Sequence, residues 1–88
     1  MTALSIVKVL WAITSDIAGI DSVIDRLEHS PEFKKGSICK DALRTHIDQL
    51  IDYSLVAKTQ YRDEVWYKKK PHAKERLQEI LAHEALNT

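Results

Sequence analysis

Lys58, Arg62, Lys68, Lys69 and Lys70 are the side chains in this sequence best suited to a chemistry, and that chemistry is the neutralisation of phosphate. Each is cationic at neutral pH and offers donors only, which is what phosphate oxygens need. A second group, Ser37, Lys40, Arg44 and Thr45, has the spacing of the first two turns of a helix. The same segment carries Asp41, Asp48 and Asp52, which repel phosphate and would suit a basic protein partner. Lysines on a hairpin also have a simpler use, which is to keep an exposed edge in solution.

Other chemistries are poorly supported. His29, His46, His72 and His83 are scattered and lack metal-ligand spacing. There is no Ser-His-Asp arrangement, no glycine-rich phosphate loop and no carboxylate pair in an apolar setting. Cys39 stands beside Lys40 near a helix start, a setting that can activate a thiol, although a structural thiol is the simpler reading. The expectation is a chain that is not an enzyme, with no metal and no cofactor.

The 88 residues suffice for one domain, residues 1–88. An apolar fraction of 44% with 30% charged residues fits a globular chain rather than a disordered one. Net charge is zero, but it is unevenly spread. Residues 1–32 carry −3, residues 33–76 carry +5 from eleven Lys/Arg against six Asp/Glu, and residues 77–88 carry −2. A local basic patch is what a phosphate backbone would feel. The apolar run Ala3 to Ile13 is too short to cross a bilayer, and nothing has the layout of a signal peptide, so a cytoplasmic location is expected.

The elements that must position these residues follow from periodicity. A first helix capped by Thr2 runs to about Ser15, with Leu4, Val7 and Trp11 on one face and Ile6, Leu10, Ile13 and Ile17 beside them. A second is capped by Asp21 and has Ile20, Val23, Ile24 and Leu27 on its apolar face. Ser37 caps a third that runs to about Tyr53, with Ile38, Leu43, Ile47, Leu50 and Ile51 inward. Leu55 to Tyr61 alternates like a strand, Arg62-Asp63-Glu64 forms a tip, and Val65 to Lys68 returns. Trp66 or Tyr67 points inward, since the pleat forbids both. Pro71 opens a last helix to about Ala85, with Ala73, Leu77, Ile80 and Leu81 on its thin apolar stripe, and Asn87-Thr88 should fray.

The first helix is apolar over more of its circumference than one core contact needs. A second copy of the chain could cover the excess through Leu4, Ile6, Val9, Leu10 and Ile13, with Leu77 and Leu81 of the last helix. The alternative is burial between the body of the domain and its own last helix.

The order helix, helix, helix, hairpin, helix resembles a small winged helix-turn-helix DNA-binding protein of bacterial, phage or plasmid type. The resemblance lies in Ala42-Leu43-Arg44-Thr45-His46-Ile47-Asp48-Gln49-Leu50-Ile51-Asp52-Tyr53-Ser54-Leu55-Val56, which is similar to a recognition helix entering a wing, with Ser54 where that family commonly has glycine. Tyr67-Lys68-Lys69-Lys70-Pro71 resembles the exit from the wing. The resemblance implies a mainly α fold with a two-stranded wing and a C-terminal helix. It also implies a homodimeric transcription regulator, a repressor, on a pseudo-palindromic duplex site. A replication or partition factor would share the same surface. The stretch from Ser30 to Gly36 is longer than a tight helix-turn-helix turn, and Asp41, Thr45, Asp48 and Asp52 lie opposite the core stripe of the third helix.

Overall fold

A computed structural model describes residues 4–86. Among the described residues are four helices and one antiparallel hairpin: α1 Ile6–Ala12, α2 Ile20–Glu28, α3 Lys40–Asp52, β1 Val56–Tyr61, β2 Glu64–Lys69 and α4 Ala73–Leu86.

Helix α1 is shorter than its apolar pattern suggests. The hydroxyl of Ser5 accepts from the Lys8 amide at 3.2 Å and caps it; Thr2, the expected cap, lies outside the described residues. The helix stops at Ala12 because the next residues are drawn out as an edge to the hairpin. Lys69 N–H donates to the Thr14 carbonyl at 2.9 Å, and Ala18 and Tyr67 exchange both main-chain bonds at 2.8 Å. Thus β2 is the middle of the small sheet, with β1 on one side and Thr14 to Ala18 on the other.

Helix α2 starts at Ile20, with Gly19 at the capping position in place of the expected Asp21. Asp21 sits in the first turn and Arg26 in the last, where each complements the helix dipole. The connection to α3 is firmly built. Phe33 plugs into the core, Ser30 is buried, and the Glu28 carboxylate accepts from the Gly36 amide. Gly36 has a φ of +82°, which favours glycine. Lys8 and Glu32 pair at 3.0 Å, fixing this connection to α1.

Ser37 does not cap α3. Its hydroxyl turns back to donate to the Lys34 carbonyl at 2.6 Å, and the helix begins three residues later with Cys39 at the cap. Leu43, Ile47 and Leu50 are buried, one turn apart on the inner face. The end of α3 is tightly specified. Ser54 N–H donates to the Ile51 carbonyl and Leu55 N–H to the Leu50 carbonyl, at 2.9 and 3.0 Å. Ser54 has a φ of 63°, and Leu50 and Leu55 are both buried. These are the two bonds, the left-handed residue and the apolar pair of a Schellman cap. The backbone conformation at Ser54 is the one that glycine adopts without cost.

The hairpin closes through the pair Tyr61 and Glu64, so Glu64 belongs to the strand and only Arg62 and Asp63 make the loop. Arg62 carries the positive φ, 58°. Tyr67 is the inward aromatic and is buried; Trp66 points the other way. Lys70 N–H still donates to Leu55, so the chain turns only at Pro71-His72 and α4 starts at Ala73, not at Pro71. Tyr53 hydroxyl donates to the Glu84 carboxylate at 2.9 Å and accepts from Gln49, tying α4 to α3.

Helix α1 touches all three other helices. Its wide apolar surface is therefore used inside the chain. Val9, Leu10 and Ile13, and Leu77 on α4, are at most 2% exposed, so they cannot meet a second copy as the sequence suggested. Leu4, Ile6 and Leu81 are half-buried against the same core. What α1 leaves outside is Val7 and Trp11. No described helix is long and apolar enough to cross a membrane.

Candidate nucleic-acid interface

The outer surface of α3 carries Lys40, Asp41, Arg44, Thr45, Asp48 and Asp52, all exposed. Its cations are already engaged. Lys40 lies 3.4 Å from Asp21 and Arg44 lies 3.7 Å from Asp41. Thr45 hydroxyl donates back to the Asp41 carbonyl at 3.0 Å. The helix therefore presents cations and carboxylates side by side, with a formal sum of −1 over these groups.

The hairpin differs. Among the described residues no carboxylate lies within ion-pair distance of Lys58, Arg62, Lys68, Lys69, Lys70 or Lys74. The pleat, however, distributes them. Lys58 is directly across from Tyr67, on the side that faces α3. Lys68 and Lys70 fall on the opposite, outer side with Trp66. Lys69 alternates inward and is half-buried, lining a groove of about 240 Å³ with Val7, Leu10, Trp11 and Leu77. The alternation thus turns Lys69 away from Lys68 and Lys70 within the strand, and the five hairpin cations do not form one row, although all three lysines border the recess at the hairpin root.

Where the hairpin meets α4, Lys68, Lys69 and Lys70 join Lys74, His72 and Ser15 around a shallow recess of about 470 Å³, with Glu75 as its carboxylate. Lys74 and Ser15 were not recognisable from the sequence as part of this group. Lys74 belongs to the next helix, and the turn at Pro71-His72 folds it back; Ser15 arrives through the Thr14 and Ala18 pairings.

A second cleft, about 420 Å³, lies between the start of α2, Arg44 and the far end of β2. Asp21, Asp63 and Glu64 line it, so it repels phosphate and separates the α3 surface from the tip of the hairpin. Tyr67 forms part of its wall. Burial pushes the Tyr67 hydroxyl above its ordinary value of 10.0; the Asp48 carboxylate adds to this and Arg44 opposes it.

The remaining candidates have separate settings. His29 pairs locally with Asp25, Cys39 is exposed, and His46 Nδ1 is buried without a hydrogen-bond partner. Among the described residues no group of His, Cys, Asp and Glu is arranged to hold a metal ion. Comparison with protein-family models, with curated proteins and with solved structures finds no match for this chain.

Proposed function

We propose that the chain is a winged-helix domain that binds double-stranded DNA and serves as a regulator of transcription, most simply a repressor. The fold part of this reading is supported by the middle position of β2. A short extended stretch between the first two helices lies along it, and the hairpin follows the third helix directly. The observation that carries the DNA part is the contrast in ion pairing. The cations of α3 have carboxylate partners, whereas Lys58, Arg62, Lys68 and Lys70 have none among the described residues and are exposed. Unpaired surface cations gain from a phosphate backbone through counterion release without first breaking an ion pair. In this arrangement the hairpin supplies most of the affinity, and the start of α3, through Lys40, Arg44 and Thr45, adds what base reading there is. A two-copy arrangement through α1 would have to use Val7 and Trp11, since Val9, Leu10, Ile13 and Leu77 are occupied.

The test is duplex affinity by fluorescence anisotropy across a salt series. With about five phosphate contacts, a fourfold rise in salt lowers affinity by roughly 500-fold. Joint replacement of Lys58, Arg62, Lys68 and Lys70 by alanine removes most of both the affinity and the slope. Absence of binding at low salt would sink the reading. It would then favour a protein-interaction module that uses Asp41, Asp48 and Asp52, a reading supported by the net negative surface of α3.

A further inference from the structure

We infer that the outer face of the hairpin is a stacking surface for an unpaired nucleic-acid strand. This deepens the nucleic-acid reading of the hairpin and rests on it. Register and pleat place Tyr61, Trp66, Lys68 and Lys70 on the face turned away from the core, with Thr59 directly opposite Trp66. Tyr61 and Trp66 are diagonal neighbours across the two strands, a separation of about 7–8 Å, close to the step between nucleotides of an extended strand. Tyr61 is 63% exposed, and the Arg62 guanidinium carbon lies 5.4 Å from its ring centroid. Trp66 rests on Gly19, which sets the indole in place without hiding it. Ile17, 61% exposed, extends the same surface beyond β2.

Aromatic rings interleaved with unpaired cations fit a strand whose base faces are free and whose phosphates are near. A duplex can meet the cations of such a face but not its rings, because its bases are stacked on one another. The charge supports a direction as well. The root of the hairpin holds Lys68, Lys69, Lys70 and Lys74 against Glu75, whereas the tip sets Arg62 against Asp63 and Glu64, a formal sum of −1. Phosphates are held at the root and bases lie over Trp66 and Tyr61. Glu64 is the strand carboxylate on this face, directly opposite Tyr61, and Trp66 also borders the cleft that holds Asp21 and Asp63. Stacking does not sense the sugar, so the shared chemistry is single-stranded DNA or RNA.

The experiment uses the full chain with Trp11→Phe, which leaves Trp66 as the only indole. Oligo-deoxythymidine, oligo-uridine and a random duplex are titrated separately. Both single strands are expected to bind and to quench Trp66. Tyr61→Ala should weaken them roughly 5- to 150-fold while leaving duplex affinity within about twofold, the change expected of a residue outside the duplex contacts. Glu64→Gln should strengthen single-strand binding. Circular dichroism and the urea midpoint of each variant separate lost stacking from lost folding. The inference is overturned if the single strands fail to bind, if they bind without quenching Trp66, or if folded Tyr61→Ala binds them as well as the parent. Duplex binding without single-strand binding removes this inference and spares the proposed function; the reverse outcome removes the duplex reading and spares this one. If only one of the two single strands binds, a stacking platform blind to the sugar is wrong.

Discussion

Ala18 and Tyr67 exchange two main-chain hydrogen bonds of 2.8 Å each, joining the link between α1 and α2 to the middle of the hairpin. Both residues are buried, so neither pair of groups can turn to water instead. Ala18→Pro removes one donor and strands the Tyr67 carbonyl. The expected loss is about 3 kcal/mol, read from the midpoint of urea unfolding. A loss under about 1 kcal/mol would mean that the pair is dispensable.

Ser54 holds a φ of 63° at the end of α3. A left-handed conformation costs an L-residue roughly 1–2 kcal/mol, and glycine avoids it at some expense in the unfolded chain. Ser54→Gly should therefore stabilise the protein by about 1 kcal/mol, raising Tm by roughly 4–8 °C in a chain of this size. Unchanged or lowered Tm would show that the serine side chain contributes more than its backbone costs.

Arg62 combines a φ of 58° with an exposed positive charge. Arg62→Asn relieves the backbone, since asparagine tolerates this region, and removes the charge. Stability should rise by about 0.5–1 kcal/mol, while duplex affinity falls and the salt slope decreases by about one phosphate contact. Calorimetry and anisotropy then move in opposite senses; a parallel change would contradict the assignment.

Tyr67 gives a pH dependence with a definite sign. Its folded pKa is raised above 10.0 by burial first and then by Asp48, with Arg44 working against the rise. Above about pH 10 the unfolded chain releases this proton while the native chain keeps it, so stability falls with rising pH until the folded pKa is passed. Below that range the contribution is fully present. In paired stability profiles from neutral to alkaline pH, Tyr67→Phe should fall less steeply than the parent.

Much of the architecture was legible because it is periodic. The inward stripe Leu43, Ile47 and Leu50 and the alternation from Val56 to Tyr67 repeat often enough to fix α3 and the hairpin. The Ala18 pairing was not legible, because a bridge of one residue has no period. The apolar surface of helix α1 left two covers open, a second copy or the chain's own body, for the opposite reason. An all-round apolar segment shows that several faces are covered but not by what, and here the chain's own α2, α3 and α4 cover them. At the candidate site, residue types were readable and their faces less so. The period of two alone puts Lys69 on the other side from Lys68 and Lys70. The Lys40–Asp21 pair was hidden, since two loops must fold before those residues meet.

The middle position of β2 leaves β1 with one side open. The Lys70 to Leu55 bond and the register direct the main-chain groups of Ala57, Thr59 and Tyr61 toward β2, so those of Lys58 and Gln60 face outward. Such a rim invites another extended chain, and aggregation by edge-to-edge addition is the hazard of any sheet with an uncovered side. The strand's shortness and the Lys58 charge oppose it. Lys58 thus guards the solubility of the fold whether or not phosphate is bound, and an apolar replacement there should show first as turbidity at high protein concentration.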